Sequence, residues 1–329
     1  MKIPEMYFLS NPVGGCDNEP PQPHEGATMT ALIEALTEPR ELSEEASASH
    51  AREAWDRLAD IDTGYPANHF AFQQMLNVLA EEGAERVLEV GIGHGAAIPV
   101  LAGAGLQVAG LEINDLLVEK SRARMIELGL DDQSVSWGDI QDSTTYPAIR
   151  RDAPFDALIA MGVLPHVRYE KAALENMRAL VRPGGLVFVE CRNSLFSLIT
   201  FNRYTHEFLM DDLLHDAPAE VRQAVDAYIR PRLEMDRPPV SSHASTFHNP
   251  LTVPEVFRAA GFEDIVIRPF HYHAGMPILE AQLGQVFRDG SVALENEPSG
   301  WRGLFLCSAY VVQARRPVAP SHAGQVNHG

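Results

Sequence analysis

The feature that most narrows what this chain can fold into is VLEVGIGHGA at residues 87–96, an apolar run that passes directly into Gly91, Gly93 and Gly95. Glycines spaced by two at the end of a buried strand serve a tight turn that brings bare backbone against a ligand. A helical pattern follows, so backbone N–H groups are expected to face the same ligand. The loop alone is not decisive, because nicotinamide and flavin enzymes carry similar turns.

What surrounds the loop extends the reading. Short apolar runs at 86–91, 106–112, 134–139, 155–161 and 185–191 alternate with helical stretches such as DLLVEKSRARMIELG and YEKAALENMRALVRPGG. That alternation is the pattern of βαβ units and a parallel sheet. The second of these helices is expected to close at Pro183-Gly184-Gly185, with Arg178 and Arg182 suiting its negative C-terminal end. Two further strands are expected near 263–270 and 304–313, the first preceded by a Thr252-x-x-Glu255 capping box. The predicted fold is therefore α/β, a doubly wound, mostly parallel sheet of seven strands with an N-terminal helical cap and a helical insertion after the fifth strand. The boundaries read as an irregular arm at 1–28, the cap at 29–82, the core at 83–192 and 250–314, the insertion at 193–249 and a loose tail at 315–329.

At the loop the chain departs from the dinucleotide fingerprint, because the acidic Glu89 stands two places before GxGxG. Glu89 to Gly95 resembles, without a gap, the first motif of the class I S-adenosylmethionine-dependent methyltransferases, (Asp/Glu)-x-Gly-x-Gly-x-Gly. The resemblance covers roughly 70–192 and 250–313. FDALIAMGVLPHV matches the family's fourth strand and exit loop, and LVRPGGLVFVE its helix, turn and fifth strand. It implies S-adenosyl-L-methionine as cofactor, with Glu89 near the methionine amino group and Gly91, Gly93 and Gly95 lining the ligand. Glu112 would accept from the two ribose hydroxyls, Ile113 and Ile140 would flank the adenine, Asp139 would receive its amino group, and Met161 would lie beside the cofactor. Tyr65, in the cap ahead of the first strand, would touch the methionine carboxylate. Magnesium-dependent members of this fold carry an Asp near the end of the fourth strand, where this chain has Met161 with Asp156 at the strand start, so no catalytic metal is expected.

Methyl transfer needs alignment of the acceptor and, for a protonated acceptor, a base. Histidine suits that task at neutral pH. The candidates are His166 in the loop leaving the fourth strand, His206 in the insertion, and His248 on the return to the core. Arg203, Tyr204 and His206 form a polar run in the insertion, and Arg203 and His206, three apart, would share a helical face able to hold an acceptor carboxylate or phosphate. A salt-bridged helix surface explains the same residues. His243, His248, His271 and His273 form a further cluster, open to a metal, a substrate contact or exposed loop structure.

Charge bears on the partner. A formal net charge of −19 and the absence of a Lys/Arg run weigh against nucleic acid and anionic lipid surfaces and favour a small-molecule acceptor. Three widely spaced cysteines, Cys16, Cys191 and Cys307, argue against a disulfide framework and CxxC zinc sites. No apolar run is long enough for a signal peptide or membrane span, so the reading is a cytoplasmic protein, with room for a homodimer. The predicted function is methylation of an oxygen or nitrogen on a small polar metabolite, sugar or natural-product intermediate. A protein or RNA methyltransferase, an NAD(P)-dependent oxidoreductase and a non-catalytic cofactor-binding protein are the alternatives. The first is disfavoured by the lack of an NPPY-type tetrapeptide after the fourth strand.

Overall fold

In the computed structural model, residues 67–235, 246–296 and 300–318 are described. Tyr65 and His243 lie outside them. Eight strands form one sheet: β1 (Arg86–Val90), β2 (Gln107–Glu112), β3 (Val135–Trp137), β4 (Phe155–Ala160), β5 (Val181–Asn193), β6 (Phe247–His248), β7 (Glu263–Tyr272) and β8 (Cys307–Arg315). The order along the main path is β3-β2-β1-β4-β5-β8-β7. Strands β1 to β5 pair in parallel, and β8 runs antiparallel to both neighbours. The two-residue β6 is additional to the seven predicted strands and pairs in parallel with the end of β5.

The strands read as nearly continuous apolar runs because both faces are covered, as a parallel sheet requires. One face packs on α1 (Ala67–Glu81) and α2 (Ile98–Gly103) through Phe72, Met75, Leu79, Val100 and Leu101. At the β2–β3 end, α3 (Asp115–Glu127) packs through Val118 and Met125. The α4 helix (Pro147–Asp152) adds Ile149 to the other face, where α5 (Glu170–Leu180) contributes Leu174 and Met177. Within β5, Val187, Val189 and Cys191 point to the α5 face and Leu186 and Phe188 to the α1 face. Strand alternation then sends Glu190 and Arg192 to the α1 face.

Three local readings differ. The helix after the glycine loop begins only at Ile98, three residues past Gly95, with Pro99 in its first turn. Arg182 does not cap α5, which ends at Leu180. Its Nε instead donates to Asp156 Oδ1 at 2.7 Å, while Asp156 Oδ2 accepts from the Glu85 and Arg86 N–H groups. No capping box forms at Thr252: its side chain makes no cap bond to the helix it precedes, α8 (Val253–Ala259). Asn249 shapes that turn by accepting from the Leu251 N–H at 3.0 Å.

The segment after β5 holds a 3-10 turn (Leu195–Ile199), then α6 (Arg203–Glu207) and α7 (Ala219–Ile229), before β6 returns to the sheet. Between β7 and β8 lie α9 (Glu280–Leu283), α10 (Gln285–Asn296) and a last short helix, α11 (Gly303–Leu306), elements the strand pattern gives no hint of. None of the described helices is long and apolar enough to cross a membrane.

Candidate active site

The glycine loop opens at the C-terminal end of β1, the edge where ligands sit in open α/β sheets. Gly91, Gly93 and Gly95 have φ of +72°, +59° and +79°, a region that costs an L-residue roughly 1–2 kcal/mol. Their reasons differ. A Cβ on Gly91 would come within 2.5 Å of the Val163 side chain in the β4 exit loop, and one on Gly95 within 2.6 Å of Ile98. A Cβ on Gly93 would meet nothing closer than 3.9 Å, so only this glycine leaves its side-chain position open.

Glu112, buried at the end of β2, ties the loop to the neighbouring turn. Its Oε2 accepts from the Gly93 N–H and its Oε1 from the Asn114 N–H, both at 2.9 Å. Each carboxylate oxygen retains a second acceptor site, enough for a pair of hydroxyl donors. Ile113 beside it is 58% exposed, an apolar surface awaiting cover, and the Trp137 indole fixes its carbonyl at 2.8 Å.

Glu89 is 5% exposed, and its Oε2 has no hydrogen-bond partner. Burial first, and the Glu112 charge second, push its carboxyl up to about 8. A buried acid without a partner is costly, and a cation placed against it would remove that cost.

Across the loop, Gly162 follows Met161, and its N–H donates to Glu190 Oε2 at 2.8 Å. Burial pushes the Glu190 carboxyl up to about 7, with the Gly162 bond and Arg192 opposing. Glu190 thus fixes the β4 exit against which Gly91 packs. A lone acid within the apolar strand GLVFVEC was the available signal for it.

Asp139 is half-buried and its oxygens accept from Gln141, whose own Oε1 accepts from the Arg168 and Tyr169 N–H groups at 2.7 and 2.8 Å. Gln141, which sequence reasoning missed, couples Asp139 to the loop carrying His166. Ile140 does not face the site: its side chain lies in the core with Leu164 and Leu174. His166 is exposed at the end of the 3-10 turn Leu164–His166.

The remaining histidine and arginine candidates do not converge here. His206 Nε2 lies 2.5 Å from Asp226 Oδ1 in α7, where Arg230 also binds. Arg203 pairs with Glu207 at 3.0 Å. Each has a carboxylate from its own insertion, so the pair forms no open anion site. Tyr204 packs on Phe247 with ring centroids 5.3 Å apart and planes tilted by 41°, and the Arg192 guanidinium lies over the Phe247 ring, 5.9 Å from its centroid. His248 shares the register of Asn193 and so turns to the α5 face, opposite Glu89. There its Nε2 meets Glu170 Oε1 at 2.7 Å, which ties the return of the insertion to the start of α5. Among the described residues no group of three or more His, Cys, Asp or Glu could hold a metal ion.

Residues 88–187 match a family model described as a methyltransferase domain. Over 156 residues the chain is 26% identical to a ubiquinone biosynthesis O-methyltransferase of Paraburkholderia phytofirmans, covering 47% of this chain and 64% of that protein. It is 32% identical over 128 residues to protein-L-isoaspartate O-methyltransferase 1 of Rhodopseudomonas palustris, covering 35% and 50%. The chain therefore spans less than two thirds of the length of these relatives. Among solved structures, a SAM-dependent methyltransferase from Archaeoglobus fulgidus aligns at 17% identity with a TM-score of 0.40, over 74% of this chain and 94% of that one.

Proposed function

We propose that this chain, whose residues 88–187 match a methyltransferase domain, is a class I S-adenosylmethionine-dependent methyltransferase that methylates an oxygen or nitrogen of a small polar molecule. The observation that carries the reading is Glu89. A buried carboxylate with one bare oxygen, raised to about 8 beside a second acid, is suited to an ammonium or sulfonium ligand.

The donor set around it fits the cofactor. Glu89 would take the methionine amino group, Gly93 would leave room for the chain beside it, Glu112 would hold the ribose hydroxyls, and Ile113 would cover the adenine. When bound, the cofactor supplies an electrophilic methyl group on a sulfonium. Met161 and Gly162, fixed by Glu190, form the wall beside that group. His166, exposed on the turn that leaves β4 at the C-terminal edge of the sheet, serves as the base for an acceptor that must lose a proton. Both relatives are named as O-methyltransferases, which supports oxygen as the acceptor atom.

Calorimetric titration with S-adenosylmethionine, S-adenosylhomocysteine and, separately, NADH tests the reading. Micromolar binding of the two sulfur compounds and none of NADH is expected. NADH binding without them would replace the transferase with an oxidoreductase.

A further inference from the structure

Glu89 sits where the sheet supplies it with no counter-charge. In the register of β1 its neighbours are Gly110 on β2, which has no side chain, and Ile159 on β4, which is apolar and fully buried. By strand alternation Glu89 shares the face of Val87, the face that α1 and α2 cover. No residue of α2 is ionisable, and α1 carries His69 in its first turn and Glu81 at its far end. In the glycine loop His94 is exposed, and Arg124 of α3, which lies against Gly95, pairs with Glu127 at 3.1 Å. Two strands away, β5 carries Glu190 with the Arg192 charge beside it. The charge that acts on Glu89 is another acid, Glu112.

An ionised carboxylate in such a place costs far more than a neutral carboxyl, since its Oε2 meets no donor. The free protein therefore keeps Glu89 protonated at neutral pH, in line with a carboxyl pushed up to about 8. Glu112 differs, because each of its oxygens already accepts a backbone N–H at 2.9 Å. An ammonium brought against Glu89 Oε2 reverses the balance by supplying both the missing donor and the missing charge. Carboxyl plus ammonium then becomes a carboxylate–ammonium pair, and one proton leaves for solvent. The count is the same if the shared proton rests on the carboxyl and the amine is neutral.

We propose that ligand binding at Glu89 is a proton exchange: the amino group of S-adenosylmethionine, or of S-adenosylhomocysteine, displaces one proton from the Glu89 carboxyl, and departure of the product takes one back. The exchange rests on the methyl-transfer reading for the identity of the ligand. Its consequence is a pH-sensitive hold on cofactor and product. Affinity for either compound rises about tenfold per pH unit as long as Glu89 is protonated in the free protein, so acidification favours release.

The test is calorimetric titration of the full chain with S-adenosylhomocysteine at pH 7 in phosphate and in Tris, whose ionisation enthalpies differ widely, so that the change in observed heat counts protons. Wild type is expected to release about 0.9 proton per bound ligand, the protonated fraction of a carboxyl that titrates at about 8, and its Kd to fall roughly tenfold from pH 6 to pH 7. Glu89→Gln has no proton to give and should release none, with a Kd that stays flat over the same interval. Glu89→Asp restores the acid and should restore release, and thermal melting monitors the folding of both variants. If Glu89→Gln binds too weakly to titrate, the wild-type proton count and pH series decide alone. Release that persists in Glu89→Gln and vanishes in Glu190→Gln would assign the proton to Glu190 and overturn the proposal. Binding by the wild type with no proton released overturns it too and leaves the transferase reading standing, whereas no binding even at pH 8 overturns both.

Discussion

Glu89→Gln should make the protein more stable and a worse binder, and the gain in stability should depend on pH. The side chain is 5% exposed with Oε2 unpartnered, and burial together with the Glu112 charge raises its carboxyl from 4.5 to about 8. A carboxyl raised on folding costs nothing below the unfolded value, where both states are protonated. The cost grows as pH climbs through the interval and levels off above the folded value. At neutral pH the folded chain must take up a proton across about two and a half units, at roughly 1.36 kcal/mol each, so the cost is about 3 kcal/mol. Gln has the same shape and no charge to suppress, so it should recover most of that amount at pH 7 and almost nothing at pH 4.5. Urea unfolding of the two proteins at several pH values between 4.5 and 8 measures the difference directly, as a shift in midpoint at constant slope. The same substitution removes a charge-assisted bond to a cationic ligand worth about 1.5–3 kcal/mol, a loss of roughly 10- to 150-fold in cofactor affinity. A stability difference that stays flat across this pH range would refute the reasoning, because Glu89 would then be ionised in the free protein and compensated by a group not identified above.

Glu112→Ala should lower S-adenosylmethionine affinity by roughly 10- to 150-fold in calorimetry, since in the proposed site its oxygens would hold the ribose hydroxyls and the Gly93 and Asn114 turns lose their common acceptor. Gly91→Ala, whose Cβ would meet Val163 at 2.5 Å, should lower the unfolding free energy clearly more than Gly93→Ala, which adds only backbone strain. Gly93→Ala should instead act on cofactor affinity, and equal effects of the two on stability would contradict the open position at Gly93. Asp156→Ala should destabilise by about 2–3 kcal/mol at pH 7, through the loss of Arg182 and two backbone donors. Burial works to raise the Asp156 carboxyl, yet Arg182 and those donors outweigh it and hold it low. Its contribution is therefore complete above pH 3.8 and disappears as pH falls through the lowered value, so wild type and variant should converge in acid unfolding. Addition of chelator should leave turnover unchanged, and its restoration by magnesium would overturn the metal-free reading.

The parts legible in the sequence are those that local pattern decides. A buried parallel strand needs an apolar run, a close turn needs glycine, and an acid at the end of β1 or β2 is carried by its strand to one edge. The glycine loop could therefore be read from spacing and the parallel sheet from its alternating periods, while Glu89 and Glu112 are singled out by the family resemblance that the loop carries. What a polar side chain does once it reaches the fold depends on partners far along the chain. His206 is taken by Asp226, His248 by Glu170 and Arg182 by Asp156, so three groups that look available in sequence are engaged in holding elements together. Ile140 follows Asp139 yet turns into the core. Glu190 and Gln141 acquire meaning only when β4 and its exit loop are laid beside them. Sequence fixes the period and place of each element, while the choice among competing long-range partners is a matter of three-dimensional proximity, and only the tertiary structure makes it.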